Sequence, residues 1–283
     1  MCGSVDRIIA TRFTRSLIAI FNPEPHDKWV RFHLTRRQLL ANVGYAAAAL
    51  PFANMFPSRK THIVTLSFDD GFKKSFFRTA EIYESFGLRG CFNVIAKPGE
   101  NWKNPIGNID DWNRLKERGH EVMAHTYDHT NLTEIPLAEA KRHIDRCADY
   151  FEKHLHGFKA SESVYNFAYN ASNPDLDNYA LTRFLVVRTQ GNTAVNPIPT
   201  HRKPVLIGCW SQGPENGQAF LDKAINDFLA SPGGWFVYNT HGLDEEGWGP
   251  IGSVYLDGLL KRLTAMPNVE VLPAGEVVLR LRP

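Results

Sequence analysis

From Lys60 to the C-terminus, short apolar runs alternate with longer amphipathic ones. Ile63–Phe68 is a β-prone run of the length of a buried strand, and Phe72–Phe86 places Phe76, Phe77, Ala80, Ile82 and Tyr83 at helical spacing before Gly87 stops it. The same alternation predicts strands over Gly90–Ile95, Glu121–Ala124, Val164–Phe167, Phe184–Val187, Pro204–Ile207, Trp235–Asn239 and Val269–Leu272. Helices are predicted over Ile109–Arg118, Pro136–Leu155, Gly217–Ala230 and Val254–Ala265. Repeated strand-then-helix units imply a parallel sheet with helices outside it. Seven or eight such units point to an α/β fold, a distorted (β/α) barrel of seven or so parallel strands in a single catalytic domain over residues 61–283.

Residues 1–60 break this pattern. Leu34-Thr35-Arg36-Arg37-Gln38-Leu39-Leu40 precedes an alanine-rich apolar stretch, Ala41 to Phe52, and the small-residue site Pro51-Phe52-Ala53. This is the layout of a twin-arginine export signal over residues 34–53. It predicts an exported protein, periplasmic or extracellular, whose apolar segment is too short to leave a membrane span in the mature chain. The 33 residues before the signal resemble no domain and fit either an upstream start codon chosen in error or a cytoplasmic leader.

Composition narrows the function classes. The chain has 283 residues, 43% hydrophobic and 22% charged, enough for a large core, and a net charge of +2 gives no reason to expect nucleic acid or an anionic membrane surface as partner. The four cysteines, Cys2, Cys91, Cys147 and Cys209, show no metal-ligand or redox spacing. The sequence carries no mark of oligomeric state.

The candidate chemistry gathers at strand C-terminal ends, where barrel active sites are built. Asp69, Asp70 and Gly71 follow the first strand. Side chains alternate along a strand, so two adjacent aspartates face different ways: one can hold a metal while the other stays free as a base. His125 and His129 follow the third strand, four residues apart, a spacing that puts both on one side of a helical turn and lets them ligate one ion. With a carboxylate they form a set suited to zinc and open to other divalent ions. Tyr169, Arg188 and His241 follow later strands, and His241 can protonate a leaving group near neutral pH. Asp128 reads as loop support, and His120, before the third strand, as structural.

Thr65-Leu66-Ser67-Phe68-Asp69-Asp70-Gly71, His125-Thr126-Tyr127-Asp128-His129 and the late His241 together resemble the polysaccharide deacetylase family, over residues 61 to about 280. The resemblance implies a distorted barrel, a divalent metal ion, zinc first, and metal-assisted removal of acetyl groups from a carbohydrate, N-acetyl ahead of O-acetyl. It implies Asp69 as the base that activates water, Asp70, His125 and His129 as metal ligands, and His241 as general acid. Tyr169 and Trp248 are then expected against the sugar, with Trp248 read equally as an anchor of its loop. The family's third motif usually supplies an arginine that orients the base. Here Phe167-Ala168-Tyr169-Asn170 stands in its place, and Arg188 is the candidate to bring the charge from the next strand. That departure keeps two alternatives open: a carbohydrate-binding protein that kept the barrel and lost the chemistry, or a hydrolase of a non-sugar amide.

Overall fold

The computed structural model describes residues 60–214 and 217–283, all within one unit of residues 58–283. The export signal expected at residues 34–53 lies outside the described residues. Among these, nine strands form one sheet: β1 His62–Phe68, β2 Cys91–Val94, β3 Glu121–Ala124, β4 Val164–Asn166, β5 Val186–Thr189, β6 Val195–Asn196, β7 Val205–Gly208, β8 Gly234–Thr240 and β9 Val269–Val271. Seven helices pack around it: α1 Lys73–Ser85, α2 Ile109–Glu117, α3 Leu137–His154, α4 Pro174–Leu181, α5 Gly217–Leu229, α6 Ser253–Thr264 and α7 Ala274–Leu279.

The strands run β6-β8-β1-β2-β3-β4-β5-β7 around the sheet, with β9 beside β1. Every pairing is parallel except that of β6 with β8. The ends of the path nearly meet. After β7, the Trp210 N–H donates to Val237 O at 3.2 Å and the Asn239 N–H donates to Trp210 O at 2.9 Å. The Asn196 side chain bridges β6 to β7, giving one N–H to Gly208 O and taking the Gly208 N–H, both at 2.9 Å. The architecture is the distorted, mostly parallel barrel the alternation implies. No helix among the described residues is long and apolar enough to cross a membrane.

Strand periodicity sorts the barrel wall into two faces. Val64, Leu66 and Phe68 join the core between sheet and helices, with Phe76, Tyr83, Phe92, Trp112, Tyr165 and Leu260. The alternate face lines the barrel. Its lower part is apolar, with Ile63, Met123, Val164, Val186, Ile207, Trp235 and Val237, and α7 adds Val277 and Val278. Its upper part is polar and equally buried: Ser67, Asp69, Asn93, His125, Asn166, Arg188 and Asn239 are all 2% exposed or less. The barrel interior therefore changes from hydrocarbon to a hydrogen-bonded layer as the strands rise, and the candidate chemistry stands on that layer.

Four features differ from expectation. β5 lies at Val186–Thr189, two residues later than the sequence suggests. Arg188 is thus inside the strand, pointing into the barrel, and does not follow it. The two-residue β6 and the helices α4 and α7 had no counterpart in the hydrophobic pattern.

Candidate active site

β1 is buried along its whole length and delivers two carboxylates to its end. Asp70 has φ +75° and Gly71 φ +99°, so the chain doubles away at once. A Cβ on Gly71 would lie 2.9 Å from the Trp112 ring, which leaves glycine as the residue that fits. The turn directs Asp69 into the barrel and Asp70 out of its mouth.

Asp70 meets the two histidines there. Its Oδ1 is 3.3 Å from His125 Nε2 and 3.2 Å from His129 Nε2. The candidate ligand atoms of the three residues all lie within 4.8 Å of one another. His125 is fixed from behind, its Nδ1 3.1 Å from Asn166 O, which leaves Nε2 for the mouth. The segment between the histidines is not the expected helical turn. Thr126 has φ +63° and His129 φ +66°, and the His129 N–H donates to Thr126 Oγ1 at 3.0 Å. The two rings converge, 5.2 Å apart, through a bent loop. Asp128 supports it by accepting from Thr130 Oγ1 at 2.7 Å, and His143 stands 3.4 Å from the same carboxylate.

These residues fit a divalent ion. Asp70 Oδ1 is buried without a hydrogen-bond partner among the described residues, although two ring nitrogens face it. That is the geometry of donors aimed at a common point. Two imidazoles and one carboxylate are a ligand set for zinc and for other divalent metals. Burial works against the Asp70 anion, and the two imidazoles more than offset it, holding the carboxyl far below the usual range.

Asp69 is held differently. Arg188 grips it with both ends of the guanidinium, Nη1 to Oδ1 at 2.9 Å and Nη2 to Oδ2 at 2.5 Å. Nη1 also donates to Ser67 Oγ at 2.7 Å. Asn93 Nδ2 donates to Oδ1, and Asn239 Nδ2 to Oδ2 at 3.1 Å. Burial alone would raise the Asp69 pKa, but the Arg188 charge, then His125, with the Arg188 hydrogen bonds and His241, bring it to about 2. The same contact raises Arg188 above its ordinary value against the cost of burying it.

His241 stands one residue past β8, half-buried, close enough for its charge to help hold both aspartates low. Its Nδ1 is buried without a hydrogen-bond partner among the described residues. The ring is held by packing: Trp248 meets it edge-on at 5.5 Å, and a Cβ on Gly247, φ +82°, would lie 2.7 Å from the His241 Cβ. Glu246 ties this loop to α1. It accepts the Ser75 N–H at 2.9 Å and the Ser75 hydroxyl at 2.5 Å.

Aromatic rings border the mouth. Tyr169 is 64% exposed, has φ +59°, and sits 4.6 Å from the His129 ring. Trp102 meets the His129 ring edge-on at 5.5 Å. Trp248 is 45% exposed. His120 lies at the opposite end, its Nδ1 accepting the Gly90 N–H at 2.9 Å.

The structure thus brings together Asp69, Asp70, His125, His129 and Arg188, sets Tyr169 against His129 and places Trp248 against His241. Sequence reasoning missed Asn93, Asn239, Trp102 and Glu246. A signal existed for the two asparagines: each is a lone amide at an inward position of an otherwise apolar strand.

Comparison with known proteins agrees with this geometry. The sequence model of the polysaccharide deacetylase family matches residues 57–182, which include Asp69, Asp70, His125 and His129. No curated protein matches the chain. Among solved structures, one from Mycobacterium smegmatis described as a polysaccharide deacetylase has a TM-score of 0.59 at 16% identity, covering 81% of this chain and 94% of that one. The chitin deacetylase of the fungal pathogen Colletotrichum lindemuthianum has a TM-score of 0.51 at 16% identity, over 79% and 90%. A mutant of a pseudoenzyme of the CE4 family, with restored enzymatic activity, has a TM-score of 0.51 at 14% identity, over 81% and 71%. At these identities the likeness is one of fold. The family match runs through the motif-bearing half of the barrel, and over residues 57–182 the chain is similar to the polysaccharide deacetylase family.

Proposed function

We propose that this protein is a metal-dependent hydrolase that removes acetyl groups from a carbohydrate, N-acetyl ahead of O-acetyl. The observation that carries this reading is the convergence of Asp70, His125 and His129 at one barrel end, beside a second, buried carboxylate. A divalent ion held by those three residues, zinc first, supplies Lewis-acid polarisation of a carbonyl and a lowered pKa for water. The protein's own groups do the rest. Asp69, kept anionic by Arg188, takes the proton of the attacking water. His241, at the rim, gives a proton to the departing sugar nitrogen or oxygen. Tyr169 and Trp248 offer exposed rings on which a sugar can stack.

One observation favours a second reading, a carbohydrate-binding protein without turnover. A carboxylate has about four acceptor positions, and Asp69 already receives four donors, two from Arg188 and one each from Asn93 and Asn239. Acetate release from chitin oligomers, peptidoglycan and acetylated xylan, measured beside binding of the same glycans, decides between the two. The deacetylase reading expects release from at least one of them, lost together with bound metal in His125→Ala. Full metal occupancy in that variant overturns the ligand assignment, and binding without release by the wild type establishes the second reading.

A further inference from the structure

We propose that Asn93 and Asn239 are positioning residues for Asp69, the ends of two side-chain relays that hold its carboxylate in one orientation. This rests on the reading of Asp69 as the proton acceptor.

The chemistry of Asp69 fixes the direction of both relays. An ionised carboxylate only accepts hydrogen bonds, so Asn93 and Asn239 must turn their NH₂ groups toward it, whatever the general ambiguity of amide orientation. Each amide oxygen then faces away and needs a donor. Asn166 supplies one, its Nδ2 2.7 Å from Asn93 Oδ1. Asn170 supplies the other, its Nδ2 3.1 Å from Asn239 Oδ1. Asn166 is itself anchored, giving a second N–H to Ala124 O at 3.2 Å. The relays end in the Oδ1 atoms of Asn166 and Asn170, both buried and without a partner among the described residues. The N–H groups that link Asn166 to Asn93 and Asn170 to Asn239 therefore run in one direction, toward the Asp69 anion.

Strand register builds this arrangement. Asn239 pairs with Ser67, two residues before Asp69 on the same face. Asn166 pairs with Arg188. Asn93, Asn166, Arg188 and Asn239 thus occupy one inward layer contributed by β2, β4, β5 and β8, with Asp69 at the end of β1 as its centre. Arg188 fixes the carboxylate from one edge, and the asparagines close the two flanks. Held from one edge by Arg188 and from both flanks by the asparagines, the carboxylate can neither rotate nor tilt. It keeps its plane while the mouth above it binds substrate.

The experiment uses Asn93→Leu and Asn239→Leu, which remove the donor while keeping the branching of the side chain, with Asn239→Ser as the conservative variant. Loss of one hydrogen bond to a charged group is worth about tenfold or somewhat more, so kcat for acetate release should fall by about that factor in each leucine variant. KM and bound metal should stay at wild-type values, because neither asparagine touches Asp70, His125 or His129. Asn239→Ser should recover part of the loss through its hydroxyl. A second measurement needs no turnover: the side-chain ¹⁵N–¹H signals of Asn93 and Asn239 should be protected from solvent exchange in wild type and should shift in Asp69→Asn. If both leucine variants keep kcat within about twofold of wild type, the relays do not position Asp69. Unprotected amides that ignore Asp69→Asn overturn the proposal on structural grounds. Should the wild type release no acetate, the deacetylase reading fails, and the amide signals still decide whether the relays exist.

Discussion

At the scale of the residue, the centre of the site is a buried ion pair. Arg188 and Asp69 are each 2% exposed or less. Two such charges are kept in a protein interior by mutual geometry, and removing one partner alone typically costs about 3–5 kcal/mol because the other is left unpaired. Arg188→Ala should therefore lower the urea unfolding free energy by roughly that amount and depress kcat, while bound metal stays, since Arg188 contacts none of the three candidate ligands. Adding Asp69→Asn to Arg188→Ala should restore much of the stability, though not the activity, because no buried charge then lacks a partner. A double variant no more stable than Arg188→Ala would show that the pair is not the dominant interaction. The arginine was legible in the sequence as a charge available to replace the one absent from Phe167-Ala168-Tyr169-Asn170. Its place inside β5 was not. A charged residue after Val186-Val187 reads as the end of a strand unless a buried counter-ion is known, and that counter-ion lies 119 residues away.

At the scale of the element, each strand carries its functional residue to the barrel mouth, and the connections decide what the strand end does. Hydrophobic alternation located β1, β3 and β8 to within a residue or two, and with them Asp69, Asp70, His125 and His241. It could not reveal that Thr126 and His129 take left-handed backbone, because neither residue type requires it; the two-histidine spacing was right and its helical geometry wrong. α4 was missed although Asn173 caps it and Pro174 opens it, a start signal present in the sequence. The loop after β8 shows how distant elements are coupled. α1 begins at Lys73 with no side-chain cap from Phe72 and no acidic residue in its first turn. Glu246 provides the missing acceptor from the His241 loop. The helix that starts just past Asp70 and the loop that carries His241 thus meet at Ser75, whose hydroxyl also takes the Leu243 N–H at 2.9 Å. Glu246→Ala should cost about 0.5–2 kcal/mol, the usual value of a helix N-cap, and should lower kcat more than Glu246→Gln, which keeps an acceptor. Urea unfolding at fixed pH measures the first effect; an unchanged midpoint in Glu246→Ala would mean that the loop is held without the Glu246 contact.

At the scale of the whole molecule, the two ends of the barrel have separate work. The C-terminal end holds the candidate metal ligands and the aromatic border. The N-terminal end is closed by α7, and there Glu121, the first residue of β3, takes the Gly275 N–H at 3.0 Å and lies 3.7 Å from Cys91 Sγ. Burial, with help from Glu276, pushes the Glu121 carboxyl up from 4.5 to about 7, against the Gly275 hydrogen bond. The folded state therefore binds a proton that the unfolded chain has released. Where the native state holds more protons than the unfolded one, stability falls as pH rises. The Glu121 contribution is complete below pH about 4.5 and is lost as pH passes through about 7. Glu121→Gln has no proton to lose and keeps an oxygen for the Gly275 N–H. The wild type should lose more stability than Glu121→Gln on going from pH 5 to pH 8, so the gap between their urea midpoints should move in the variant's favour across that interval. Parallel pH profiles for the two proteins would place the Glu121 carboxyl in an ordinary solvated setting and overturn its raised pKa. The site end should be untouched by the same substitution, because Glu121 and Asp69 stand at opposite ends of the barrel with the apolar layer of Met123, Val164 and Val186 between them.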